Sequence, residues 1–217
     1  MAKPYVKRTV GLSTSLSALA GFVDAVGFIS LGGYFVSFMT GNTTRLGVEG
    51  ARLDWPGMAI AGGVLLTFVL GVIVGALIAK FAGDWRRPAL LGWVAFCLAV
   101  SASLGPGGGG FAPGAAALVL AMGAANSVFQ RNGEVTIGVT YMTGTLVKMG
   151  QQIANAMTGG PAWTWLRNFV LWLGLALGAY AGALAYGAYG YGSLWIAAAS
   201  SLSLALGSLT LPGHVAD

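Results

Sequence analysis

The apolar positions fall into six long blocks, at about 11–31, 57–79, 89–104, 112–129, 163–186 and 193–211. A helix needs about 20 apolar residues to cross a bilayer, so each block predicts a transmembrane helix, or close to one. Between the first and second blocks, and again between the fourth and fifth, stands a shorter segment of mixed polarity. Met39-Thr40-Gly41 opens one and Met142-Thr143-Gly144 opens the other. Gly32-Gly33 breaks the first helix, and the run to Phe38 reads as extended, as does 135–141 before the second motif. Thr40 and Asn42 are good N-cap residues, so a short helix is expected from there to about 52–54, ahead of Pro56. Its counterpart ends near Met157, before Gly159-Gly160-Pro161. Roughly a dozen residues at about 1.5 Å each do not cross a bilayer, so both segments read as re-entrant or interfacial helices.

The two motifs stand at an offset of 103 residues (39 to 142), and the offset persists. Arg45 falls on Lys148, Gly47 on Gly150, Gly71 on Gly174 and Gly75 on Gly178. Asp24 precedes the first motif by fifteen residues and Asn126 the second by sixteen, so one insertion makes them equivalents. The chain reads as one unit written twice within a single membrane domain, 1–217, with repeats at about 11–105 and 112–211. Gly71 and Gly75, and Gly174, Gly178 and Gly182, are spaced by four, as helix faces that let a neighbouring backbone approach.

Placing the N-terminus in the cytoplasm puts Lys3, Lys7, Arg8, Lys80, Arg86, Arg87, Arg131, Lys148 and Arg167 inside, with only Arg45 and Arg52 outside. That split obeys the positive-inside rule and places both termini in the cytoplasm. Three spans per half is an odd number, so the second copy runs upside down. The expected fold is an all-α membrane protein, with six transmembrane helices in two inverted three-helix repeats. If the short helices crossed instead, each half would have four spans and the repeats would be parallel.

Composition agrees with a membrane protein and removes other classes. Charged residues make up 8% of the 217 residues, and the mean hydropathy is +0.78; soluble domains carry about 25% charge. The net charge of +5 belongs to span ends, so no nucleic-acid partner is expected. The apolar stretch runs well past Ala18-Leu19-Ala20, so the first block reads as a span and not a cleaved signal. One cysteine (Cys97) and one histidine (His214) leave no material for a zinc site or a Cys/His dyad. No metal, cofactor or enzymatic activity is expected.

The candidate chemistry lies with polar groups at the breaks. Asp24 within a span reads either as a structural carboxylate, paired with a cation or capping a broken backbone, or as a proton or substrate contact. Thr40, Gly41, Asn42, Asn126, Thr143, Gly144 and Thr145 are candidates to line a substrate site or pore where the copies meet. The positive N-terminal ends of the short helices would point there. Arg45, Arg131 and Lys148 are the candidate charge partners, and Arg45 also has Glu49 four residues on.

Asp24-Ala25-Val26-Gly27-Phe28, Met39-Thr40-Gly41-Asn42, Gly123-Ala124-Ala125-Asn126 and Thr140-Tyr141-Met142-Thr143-Gly144-Thr145 resemble the YoaK-like bacterial membrane proteins. This is a family defined as a domain of unknown function, and the resemblance covers nearly the whole chain. It departs at Ala125, where the family has Gln, and at the family's pair of arginines, of which only Arg131 remains. The resemblance implies a multi-pass protein of the bacterial inner membrane with six spans. The leading functional expectation, from architecture, is a small secondary transporter or channel for a small polar or anionic solute or an ion. The alternative is a non-transporting interaction, sensory or structural protein, forming a homo-oligomer through its glycine faces.

Overall fold

The computed structural model describes residues 4–107, 111–131, 134–135 and 141–209 of the chain. Eight α-helices follow in order among them: α1 (Pro4–Ser30), α2 (Met39–Ala51), α3 (Trp55–Ala82), α4 (Arg86–Leu104), α5 (Pro113–Ala125), α6 (Met142–Met157), α7 (Leu166–Tyr189) and α8 (Leu194–Ser208). Short 3₁₀ turns join α3 to α4 and α7 to α8, and another, Asn126–Phe129, extends α5. The polar run after it contains two-residue strands, Gln130–Arg131 and Glu134–Val135, paired antiparallel. Residues 136–140, most of the stretch read as extended before the second motif, lie outside the described residues, as does His214.

Among the described residues, three helical stretches are long and apolar enough to cross a membrane: Gly11–Ser30, Trp55–Leu104 and Leu166–Ser208. The second holds α3 and α4 back to back, and the third holds α7 and α8. Pro113–Val128 is a shorter apolar helix; its last turn tightens to 3₁₀ geometry, which has a longer rise per residue. Six apolar helices therefore stand where six blocks were expected, with the two Met-Thr-Gly helices, α2 and α6, between them.

Close glycine contacts fix how these helices pair. A Cβ on Gly174 would fall 3.0 Å from Thr14, on Gly178 it would strike the Ala18 carbonyl, and on Gly182 the Phe22 carbonyl. Partner numbers rise together by four, so α1 and α7 lie parallel and in register. Gly21 of α1 returns the contact, meeting the Leu175 carbonyl. In the same way Gly71 meets Leu120 and Gly75 meets Ala124, so α3 and α5 are parallel. Without side chains between them, the backbones gain dispersion contacts that lipid cannot offer.

The remaining directions follow from hydrogen bonds. The Tyr34 hydroxyl, just after α1, donates to the Gly57 carbonyl in the first turn of α3 at 3.2 Å. The end of α1 and the start of α3 are therefore at one end of the bundle, and α2 leaves and returns there. Ser101 Oγ of α4 donates to the Gly114 carbonyl at the start of α5 (2.7 Å), and Ser201 Oγ of α8 donates to the Leu91 carbonyl (2.9 Å). With Tyr191, before α8, hydrogen-bonded to Ser101 at 2.9 Å, α8 must run antiparallel to α4. Thus α1, α4 and α7 point one way and α3, α5 and α8 the other. The core fills the space between them with Leu16, Val23, Leu90, Leu98, Leu118 and Met122, all essentially without exposure.

Candidate functional site

The described polar chemistry concentrates at the break between α1 and α2. Eight residues, 31–38, turn the chain there without forming a helix, so their backbone groups need partners that regular structure does not supply. Asp24, reaching from α1, supplies them. Its Oδ1 accepts the Val36 and Ser37 amides at 2.9 and 3.0 Å, and its Oδ2 accepts the Ser37 hydroxyl at 2.9 Å. Of the two readings of Asp24, the carboxylate that caps a broken backbone is the one these contacts describe.

Asn42 completes the arrangement, and its role differs from the one expected. α2 begins at Met39 after Phe38, with no side-chain cap; neither Thr40 nor Asn42 is its N-cap. Asn42, fully buried, instead closes a two-point clamp on the linker. Its Oδ1 accepts the Phe35 amide at 3.0 Å and its Nδ2 donates to the Phe35 carbonyl at 2.6 Å. An N-cap uses one oxygen for one amide, whereas a carboxamide turned toward Phe35 satisfies both backbone groups of that residue at once. Thr40 stands exposed, and Gly41 packs beneath Phe38, whose ring leaves no space for a Cβ (2.6 Å).

Arg45 lies one turn further on. Its guanidinium donates to the Gly33 carbonyl and, at 3.3 Å, to that of Gly32, and lies 4.0 Å over the Tyr34 ring. It also meets Glu49 at 3.7 Å, the expected i, i+4 pair. Burial raises the Tyr34 hydroxyl above its ordinary value, and the Arg45 charge opposes that rise. Sequence reasoning missed Tyr34 and Ser37 as members of this cluster. Their signal was weak: two hydroxyls in an otherwise apolar run directly ahead of the motif.

The second motif is built differently. α6 also opens at its Met, after an aromatic residue (Tyr141) with similar backbone angles and again no side-chain cap. Thr143 and Gly144 are exposed, and Thr145, at the position of Asn42, bonds its hydroxyl to the Tyr141 carbonyl at 3.2 Å. Lys148 is exposed on the same helix. Gln152, in the place of Glu49, accepts from Asn168 at 2.8 Å and ties α6 to α7. Asn126 follows α5, buried, and donates to the Met122 carbonyl at 3.0 Å. Arg131 lies in the first short strand, and its side chain is outside the described residues.

α2 packs on α3 and α6 on α7; the two short helices do not pack on each other. The candidates around Asp24, Asn42 and Arg45 are brought together, and Thr143, Gly144 and Thr145 are not brought to them. The seam among α1, α4 and α5 is lined by apolar side chains, with a void of only about 10 Å³ beside Val23, Val94 and Met122. A larger groove, about 920 Å³, opens sideways between α1, α7 and α8, with Phe22, Trp195 and Leu204 in its lining. The hydroxyls of Ser200 and Ser203 there bond to carbonyls of their own helix, which leaves the groove apolar. Among the described residues no three His, Cys, Asp or Glu come together as metal ligands would.

Comparisons with known proteins agree with a membrane protein. Residues 12–207 match the family described as "Protein of unknown function (DUF1275)". "UPF0700 transmembrane protein RA0705" of Rhizobium meliloti (strain 1021) is 34% identical over 209 residues, 95% of this chain and 89% of that protein. "UPF0700 transmembrane protein YoaK" of Bacillus subtilis (strain 168) is 29% identical over 153 residues, 67% of this chain and 68% of that one. No solved structure matches. With both breaks, both motifs and nearly all of the spans inside the matched region, the chain belongs to the DUF1275 family of transmembrane proteins, as its resemblance to YoaK-like proteins implied.

Proposed function

We propose that this protein is a small secondary transporter or channel of the bacterial inner membrane, with both termini cytoplasmic. It is built as two inverted repeats, about 11–105 and 112–211, and passes a small polar or anionic solute. The reading is not enzymatic. One observation carries it: equivalent helices point in opposite directions and exchange partners. α1 docks on α7 while its equivalent α5 docks on α3, the equivalent of α7, and α4 pairs antiparallel with its own equivalent α8. Halves related in this way can rock about a central seam, as inverted-repeat transporters do. The uncapped starts of α2 and α6 support an anionic solute, since N–H groups there have no side-chain acceptor and helix N-termini favour anions.

A second reading, an interaction protein without transport, draws on α6. Among the described residues that helix packs chiefly on α7 and leaves Leu146, Val147, Ile153 and Met157 exposed.

The test uses a Cys97→Ala background with single cysteines at Thr43 and Leu146, both exposed. Inverted repeats predict labelling by small water-borne thiol reagents from opposite sides of the membrane. Labelling of both from one side removes the inversion. The same protein in liposomes loaded with a pH dye is then challenged with a panel of small anions. Saturable, protein-dependent flux supports transport, and silence from correctly inserted protein leaves the interaction reading in its place.

A further inference from the structure

Arg87 belongs to none of the interactions above. It is the second residue of α4, is 8% exposed, and its Nε has no hydrogen-bond partner. Among the described residues it enters no ion pair, and Arg45–Glu49 lies at the opposite end of the bundle. A buried guanidinium N–H with no acceptor is disfavoured, and more so because the group is charged.

The setting adds further positive charge. α4 begins Arg86-Arg87-Pro88, with no acidic residue in its first turn and no side-chain cap. Helix N-termini carry partial positive charge and favour Asp or Glu there, and this one places two arginines on it. Helical side chains lean toward the N-terminus of their helix, which favours an Arg87 head group near the start of α4. Lys80, exposed in the last turn of α3, adds a third cation at that end, and Asn126 and Ser127 add buried polar side chains there. Asp84, the nearest acid along the chain, lies in the 3₁₀ turn just ahead of α4, is exposed and has an interaction of its own.

We infer that the start of α4, with Arg87 as its buried ligand, is a binding site for a phosphate group. The group is either the phosphodiester of an anionic lipid at the membrane surface or free phosphate. A planar guanidinium offers a phosphate two parallel hydrogen bonds, which a lysine does not. The site is separate from the Met-Thr-Gly helices and does not depend on transport.

Thermal unfolding in a neutral detergent tests it, with phosphatidylglycerol, phosphatidylcholine or inorganic phosphate added to wild type, Arg87→Met and Arg52→Met. Arg52 is an exposed cation at the other end of the bundle. Phosphatidylglycerol should raise the wild-type and Arg52→Met Tm by about 5 °C at saturation, and phosphatidylcholine should not. In Arg87→Met the rise should vanish, while its Tm without lipid stays at or above wild type. A rise with inorganic phosphate as well assigns the site to the free anion. An equal rise in Arg87→Met, or none in wild type with either phosphate probe, overturns the inference. Should Arg87→Met fail to fold, Arg87→Lys should keep a smaller rise. Native mass spectrometry of the wild type should then retain phosphatidylglycerol in preference to phosphatidylcholine; equal retention overturns the inference.

Discussion

Asp24 offers a substitution pair that separates a backbone clamp from a proton carrier. In Asp24→Ala, the amides of Val36 and Ser37 lose their acceptor, and Val36 has no exposure and Ser37 only 6%. Each buried donor left unmade costs about 1–3 kcal/mol, so the two together cost about 4 kcal/mol. The Ser37 hydroxyl can turn elsewhere and adds little. At about 2–4 °C per kcal/mol for a chain of this size, the Tm should fall by about 8–16 °C. Asp24→Asn is a different perturbation. The carboxamide oxygen still accepts both amides, and its NH₂ can donate to Ser37 Oγ, reversing that bond. Only charge assistance is lost, about 1 kcal/mol, and the Tm should fall by about 2–4 °C. Intrinsic tryptophan fluorescence during heating of detergent-purified protein reads both. A loss below about 3 °C in Asp24→Ala, or equal losses in the two variants, refutes the clamp. Because Asp24→Asn keeps the fold, flux in liposomes becomes interpretable: the clamp predicts retained flux, and a proton carrier predicts its loss.

Other substitutions test the rest of the arrangement by the same thermal assay. Asn42→Ala should cost about 2–3 kcal/mol by stranding both backbone groups of Phe35, whereas Thr145→Ala, on the outside of α6, should change the Tm by no more than about 2 °C. Gly178→Ala should lower the Tm by several degrees, since its methyl would strike the Ala18 carbonyl and overpacking costs about 1–3 kcal/mol. Gly187→Ala, also in α7 but with open space around it, should raise stability slightly, by up to about 1 kcal/mol. Arg45→Lys should cost at most about 1 kcal/mol, because its contacts are partly exposed and the Glu49 pair survives.

The spans, the two short helices and the glycine faces were legible because each depends on local pattern. Apolar length, a double-glycine break and four-residue spacing are properties of adjacent sequence. Asn42 was misjudged because N-cap preference is also local, while its actual partner is a backbone that turns back seven residues earlier. Asp24 was legible as a polar group of consequence, with capping of a broken backbone as one of its readings, but the amides it meets were not. Nothing in the sequence says that a carboxylate will meet amides twelve residues on. The offset between motifs pointed to a repeated unit but not to the differences between the two motifs. Thr145 stands where the first copy has Asn42, and a hydroxyl cannot hold both backbone groups of one residue. The glycine spacing foretold close approach, but which helix approaches is settled only when all eight compete for the same faces.

The parallel docking of α1 on α7 has a consequence for how the protein is made. Thr14 leaves the ribosome 160 residues before Gly174, its partner across that interface (14 to 174). At about 5–20 residues per second of synthesis, α1 waits on the order of 10–30 s in the membrane with its partner surface unfilled. α3 needs α5 in the same way, so neither half can finish alone. A ribosome stalled after α4 would leave α1 and α3 to whatever insertase or lipid shelters them. Quality control in the membrane would meet this protein mostly as an unfinished chain.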